Sequence, residues 1–217
     1  MSLFNRIAIG TANWGKKYRG VQVPQKDKER ILEMCLNWEI DTIDTAVAYE
    51  NDVYDIVGFN FYIIDKIQHP EWNKDHKPHA ILGHVAPCKM VKDWLDECKL
   101  LGYCKKTGWS VYSDDVKPKC DILQIPYNPY DATSRIYLDE LEKGDMEIHV
   151  RSVFCAGKAL KDYSAKDCIA FALMNPKIDK VIVGVDSFDQ FCEGLEWIHR
   201  LEDNARSNPE YYDTRRF

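Results

Sequence analysis

The sequence predicts one α/β domain over residues 1–217, a compact (β/α)8 TIM barrel. Two observations carry this. Short apolar runs rich in β-branched residues alternate with longer amphipathic stretches, as buried parallel strands alternate with helices. Eight such runs are present, the number that closes a barrel. An open doubly wound sheet is the rival with the same alternation. The chain has 217 residues, 45% of them hydrophobic, enough for one sizeable core.

The first strand is expected at Arg6–Thr11, followed by a helix over Asp27–Glu39 whose apolar side is Ile31, Leu32, Cys35, Leu36 and Trp38. The second strand is Thr42–Ala46, and a short helix follows at Val53–Val57. The third and fourth strands are Phe61–Lys66 and Ala80–Val85. Between them Pro70 and Pro78 interrupt the chain, so the helix joining strands 3 and 4 is expected to be missing. Lys89–Leu101 reads as the clearest helix: Met90, Val91, Trp94, Leu95, Cys98 and Leu101 follow the 3.6-residue period, and Gly102 marks its stop. Strand 5 is Gly108–Tyr112, and Ser113–Cys120 then leaves room for barely two helical turns. Strand 6 is Asp121–Ile125, ended by Pro126. A helix follows over Thr133–Lys143, then strand 7 at Glu147–Arg151. A helix over Ala165–Met174, strand 8 at Lys180–Gly184 and a last helix opening at Ser187 complete the series.

A net charge of −6 argues against a nucleic-acid binder, whose footprint is a basic face. No apolar run is long enough to cross a membrane as a helix. Met1–Arg6 lacks the charged and apolar regions of a secretory leader, so a cytoplasmic protein is expected. The eight cysteines are then expected to be small thiols in a reducing compartment rather than a disulfide framework.

In a barrel the chemistry gathers at the C-terminal ends of the strands. Asp44 ends strand 2, Tyr49 lies in the next loop, Lys66 ends strand 3 and His84 ends strand 4; Ser110 and Gln124 lie on strands 5 and 6. Each has an ordinary reading as a loop cap, a half-buried aromatic, a solvated strand end or a hydrogen-bonded core histidine. As a set they make one chemistry. A carbonyl accepting hydride needs a proton at its oxygen, and a tyrosine hydroxyl can give it. A lysine ammonium nearby favours the phenolate left behind. A buried lysine needs a carboxylate, which Asp44 can supply. A histidine beside the carbonyl orients it and stabilises developing charge, while the hydride comes from a cofactor.

These residues are where the sequence resembles the aldo-keto reductases. Asp41-Thr42-Ile43-Asp44-Thr45-Ala46-Val47-Ala48-Tyr49 is similar to their D-T-A-x-x-Y signature, and Ile9-Gly10-Thr11-Ala12-Asn13-Trp14-Gly15 to their first strand and turn. The resemblance implies a catalytic tetrad of Asp44, Tyr49, Lys66 and His84. It implies a nicotinamide held by Ser110 and Gln124, with Gly10, Thr11, Ala12 and Asp44 beneath it. It further places the cofactor under the loop of Phe154 and Gly157. Its adenine-ribose phosphate end falls at Gly184, Asp186, Ser187, Gln190 and Glu193, where the amides of a helix starting at Ser187 are expected to be free for a phosphate. The resemblance covers residues 6–200 and favours NADP(H). The local residues leave NAD(H) open, because no Lys or Arg lies between 184 and 194; Lys158 or Lys161 are candidate substitutes.

Several features depart from the family. Residues 1–5 leave no room for a hairpin under the barrel, and the loop after strand 7 is short, so a clamp over the cofactor is reduced and faster cofactor exchange is expected. The Glu-Asn pair of the last helix is Glu193-Gly194 here. Two rival readings follow. One is a zinc-dependent enzyme built from His69, Asp75, His76, His79, His84 and Cys88, although their spacing fits no strong zinc pattern. The other is a non-catalytic barrel with a degraded cofactor site. The expected partner is a small-molecule carbonyl compound, with no nucleic acid and no membrane. Trp14, Tyr18, Trp72 and Trp109 are candidates for the site walls, and equally for packing.

Overall fold

The computed structural model describes residues 2–69, 75–112 and 118–207. Eight parallel strands close into a barrel in chain order. They are β1 Ile7–Gly10, β2 Thr42–Asp44, β3 Tyr62–Ile67, β4 Ala80–Gly83, β5 Lys106–Ser110, β6 Ile122–Pro126, β7 Glu147–Arg151 and β8 Lys180–Val183. Closure excludes the open sheet: β8 pairs back on β1 through Ile7–Val181, Ala8–Ile182 and Ile9–Val183. The helices are α1 Gln25–Asn37, α2 Val53–Ile56, α3 Lys89–Leu100, α4 Ala132–Glu140, α5 Ala165–Leu173 and α6 Phe188–Ser207. Among the described residues none is long and apolar enough to cross a membrane.

Strand alternation divides the core in two. Outward residues such as Ile9, Ile43, Ile81, Leu123 and Val150 join one large cluster with Ile31 and Cys35 of α1, Val91, Leu95 and Cys98 of α3, and Phe191 and Leu195 of α6. Ile64, Ala80, Leu82 and Ile122 form a small separate cluster inside the barrel. Below it, charged inward residues pair with one another. Lys106 bonds Glu147, and Lys180 lies 3.1 Å from Asp41. His149 lies 3.3 Å from Glu147, and this hydrogen bond, with Lys106, holds the Glu147 carboxyl down at about 2.

Several element ends differ from the sequence reading, each for a local reason. β5 begins at Lys106, because Lys106 pairs with Ala80, and it ends at Ser110. Val111 and Tyr112 therefore belong to the loop above it. α1 stops at Asn37, and Glu39 turns left-handed at φ 59°. α4 stops at Glu140 because Leu141 becomes extended and buries itself. Ser187 precedes α6 rather than opening it. Arg6 belongs to a 3₁₀ turn, and Thr11 follows β1. Between β3 and β4 there is no helix among the described residues. Pro70 and Trp72 lie outside them, as do residues 113–117.

Candidate active site

The upper end of the barrel gathers polar side chains from five strands. Asp44 is the last residue of β2, and Lys66 reaches it from β3. Both are sealed from solvent, at 3% and 1% exposure, and the Lys66 ammonium bonds Asp44 Oδ2 directly. Burial pushes the Lys66 pKa down, but the charge of Asp44 and the neighbouring Tyr49 push it up and prevail, so Lys66 stays an ammonium.

Asp44 also accepts, through Oδ1, a 2.7 Å bond from Gln124 Nε2 on β6. Gln124 Oε1 accepts from Ser110 Oγ of β5 at 2.7 Å, and Ser110 Oγ accepts from Arg151 Nε of β7 at 3.2 Å. One chain of polar contacts thus runs Arg151–Ser110–Gln124–Asp44–Lys66 across the barrel.

Tyr49 closes a short 3₁₀ turn, Val47–Tyr49, above this chain. Its ring centroid lies 5.2 Å from Lys66 Nζ. The chain then reverses through Glu50, left-handed at φ 52°. Gly15 sits against that reversal: a Cβ there would stand 2.2 Å from the Glu50 carbonyl oxygen and 2.4 Å from that of Tyr49, so only glycine fits. Asn51 anchors the same loop. Its amide donates to Thr11 Oγ1 at 3.0 Å and Thr45 Oγ1 at 3.1 Å, and Thr11 Oγ1 donates to the Asp44 carbonyl at 3.1 Å.

His84 follows β4 directly, held by its backbone N–H on the Ile67 carbonyl at 2.7 Å. The preceding Gly83 lets the Trp109 ring lie where a Cβ would be, 2.5 Å from its Cε3. The His84 and Tyr49 rings are perpendicular with centroids 6.5 Å apart. Burial, then the charges of Lys66 and Arg151, drive the His84 pKa down to about 4 against the pull of Asp44, so the imidazole is neutral at pH 7. Its Nδ1 is buried with no hydrogen-bond partner.

On the other side of the barrel mouth, Gly10 and Gly184 are adjacent. A Cβ on Gly184 would meet nothing nearer than the Gly10 carbonyl at 3.9 Å, so this position is open, whereas a Cβ on Gly10 would press on Ile182 Cγ2 at 3.0 Å. Ala12 lies in the turn after β1. Phe154 and Gly157 flank Cys155 and Ala156, both left-handed (φ 47° and 54°). At the start of α6, Asp186 N donates to Gln190 Oε1 at 3.0 Å, and Asp186 Oδ1 accepts from Asn13 at 2.9 Å. The amides there are partly occupied: Gln190 N donates to Ser187 Oγ at 3.3 Å and Phe188 N to Asp27 Oδ2 at 3.1 Å. Glu193 is exposed, as are Lys158 and Lys161.

Three residues missed by the sequence reading belong here. Arg151 was readable by alternation, since it shares its strand face with Glu147 and His149. Asn51 carried no signal. Arg30 brings a cation from α1 to the start of α6: its guanidinium lies 3.7 Å above the Phe188 ring and 4.0 Å from Asp27. Of the candidate walls, Trp14 and Trp109 are buried and serve packing, whereas Tyr18 is 49% exposed. The histidines scatter. His76 stacks on Tyr54 at 3.7 Å and His79 meets Tyr62 at 4.6 Å, far from His84 along the strand. Among the described residues no three His, Cys, Asp or Glu side chains gather as metal ligands do.

No family model and no curated protein matches the sequence. Solved structures do. A structure from Pseudomonas aeruginosa assigned to the aldo-keto reductases superposes with a TM-score of 0.70 at 15% identity, covering 89% of this chain and 87% of its own. An aldo-keto reductase from Klebsiella pneumoniae in complex with NADPH gives 0.68 at 13% identity, covering 94% and 91%. The holo form of an aldo-keto reductase from Bacillus halodurans gives 0.68 at 12%, covering 89% and 86%. At these identities the likeness speaks for the barrel fold.

Proposed function

We propose that this chain is a shortened member of the aldo-keto reductases, a single cytoplasmic domain that reduces an aldehyde or ketone to an alcohol with NAD(P)H. The observation that carries the reading is the buried Asp44–Lys66 pair lying under Tyr49, with a neutral His84 set edge-on beside it.

The residues present fit a dinucleotide. The open position at Gly184 leaves room beside the barrel mouth, and Ser110 and Gln124, across it on β5 and β6, offer polar side chains to the nicotinamide amide. Thr11, Ala12, Phe154 and Gly157 border the path toward Asp186, Ser187, Gln190 and Glu193. Arg30 stands at that far end, which supports the preference for NADP(H). When bound, a reduced nicotinamide supplies the hydride.

The chain's own side chains handle the oxygen. Tyr49 Oη gives its proton to the carbonyl oxygen. The Lys66 ammonium stabilises the phenolate, and Asp44 keeps Lys66 charged and in place. His84, neutral, directs a ring nitrogen to the same oxygen without adding charge. The test is a fluorescence titration with NADPH and NADH, followed by a carbonyl screen. Saturable binding with turnover that depends on Tyr49 supports the proposal; binding of neither cofactor up to millimolar concentration rejects it.

One observation favours a second reading, a barrel without catalysis. Ser110 and Gln124 already satisfy each other and Asp44, so a nicotinamide amide must displace part of that chain. The same titration separates the two readings.

A further inference from the structure

Tyr49 rides on a turn with no buried side chain. Val47, Ala48 and Glu50 are exposed, and Tyr49 itself is half-buried. The hold on this turn comes from the residues that follow it. Asn51 bonds Thr11 and Thr45, and Val53 is fully buried. Between these two stands Asp52, whose Oδ1 accepts a 2.8 Å bond from Lys28 Nζ on α1. The Lys16–Glu50 pair, 2.9 Å long, is open to solvent on both sides and contributes little.

The Lys28–Asp52 pair is unlike that surface contact. The Lys28 side chain is only 7% exposed, against 35% for Asp52. Lys28 is the fourth residue of α1, at the end where a helix favours carboxylates over cations, so helix chemistry does not account for a lysine there. Asp52 stands at the N-cap of α2, yet its side chain makes no capping bond; Val53 N donates to Asn51 Oδ1 instead, at 3.3 Å. An aspartate at a helix start thus gives up its usual bond to reach Lys28. The helix behind it is fixed. Ile31 and Cys35 are buried in the outer core, and at α6 Asp27 Oδ2 accepts from Phe188 N at 3.1 Å while Arg30 covers the Phe188 ring. Lys28 is a strut from a rigid helix to the chain that carries Tyr49.

We infer that Lys28 is a positioning residue for the reduction: through Asp52 it fixes the Val47–Tyr49 turn, and with it the place of the Tyr49 hydroxyl over Lys66. This rests on the reductase reading above. Lys28 acts only through Asp52 and the turn. The sensitivity comes from the chemistry, because a proton donor displaced by about 1 Å loses roughly 100-fold in rate.

The experiment compares the wild-type chain with Lys28→Met, which keeps the apolar stem and leaves Asp52 to water, and with Lys28→Arg, which keeps the charge. The substrate is the aldehyde turned over fastest in the carbonyl screen. Lys28→Met should lower kcat roughly 10- to 100-fold and leave KM and the cofactor dissociation constant unchanged. The solvent isotope effect on kcat in heavy water should rise, because proton delivery from Tyr49 becomes the slower step. Lys28→Arg should restore most of the loss. The Tyr49 and Glu50 amides donate to the Ala46 and Val47 carbonyls at 2.9 and 3.2 Å. Their hydrogen exchange should quicken roughly tenfold in Lys28→Met, with β2 and β3 unchanged. Lys16→Met should alter neither kcat nor exchange. Should Lys28→Met fold poorly, Asp52→Asn breaks the same pair from its half-exposed side and should give the same changes. Exchange at Tyr49 and Glu50 equal to wild type overturns the inference, and so does quickened exchange with unchanged kcat. A lower kcat with an unchanged isotope effect, or with exchange quickened throughout the barrel, marks loss of folded protein and overturns it too. If the wild-type chain reduces no carbonyl compound, the reductase reading fails. The exchange result then decides alone: quickening confined to the turn supports the hold of Lys28 on Tyr49, and none overturns it.

Discussion

Asp44 and Lys66, on neighbouring strands, form an ion pair that solvent does not reach, and the second Asp44 oxygen is taken by Gln124. Removing one partner strands the other charge in a dry environment. Asp44→Asn should therefore lower the free energy of unfolding by about 3–5 kcal/mol, as urea denaturation will measure. A loss below 1 kcal/mol would mean that water reaches Lys66.

Tyr49→Phe keeps the ring and removes only the hydroxyl. Turnover of any carbonyl substrate should fall by roughly 100- to 10,000-fold, with the cofactor dissociation constant unchanged by fluorescence. Turnover within a factor of two of wild type would remove Tyr49 as the proton donor.

His84 makes stability depend on pH. Its folded pKa of about 4 lies below the ordinary 6.5, so between these values the unfolded chain binds more protons at this site than the folded one. The contribution is complete above pH 6.5 and is lost as pH falls toward 4. His84→Gln should flatten the slope of stability against pH in that window, read from thermal unfolding at half-unit steps. An unchanged slope would place the titrating group elsewhere.

Gly15 should tolerate no side chain. Gly15→Ala pushes a methyl into the Tyr49 and Glu50 carbonyls, at a cost of roughly 1–3 kcal/mol. It should reduce turnover more than it reduces cofactor affinity, because it shifts the loop that carries Tyr49. Equal losses in both would indicate general loosening instead.

Arg30 tests the cofactor preference. Arg30→Ala should weaken NADPH binding about tenfold, one charge-assisted contact, and leave NADH binding nearly unchanged. Equal effects on both cofactors would show that Arg30 does not read the phosphate that distinguishes them.

The sequence by itself determined the barrel and the order of its parts. Strand–helix alternation is written in local periodicity, so the eight strands and the absence of a helix among the described residues between β3 and β4 were legible; of the expected α3 stripe Val91, Leu95 and Cys98 are buried, whereas Met90 and Leu101 stay exposed. The motif through Asp44 and Tyr49 pointed to one end of the barrel, because strand ends there converge whatever the loops do. Only the tertiary structure decided which side chains meet. The chain joining Arg151, Ser110, Gln124 and Asp44 crosses four strands, and Arg30 reaches Phe188 from a helix at the other end of the chain. Such contacts depend on strand register and helix placement, which arise from packing among residues far apart in sequence and leave no mark in the local pattern of any one segment.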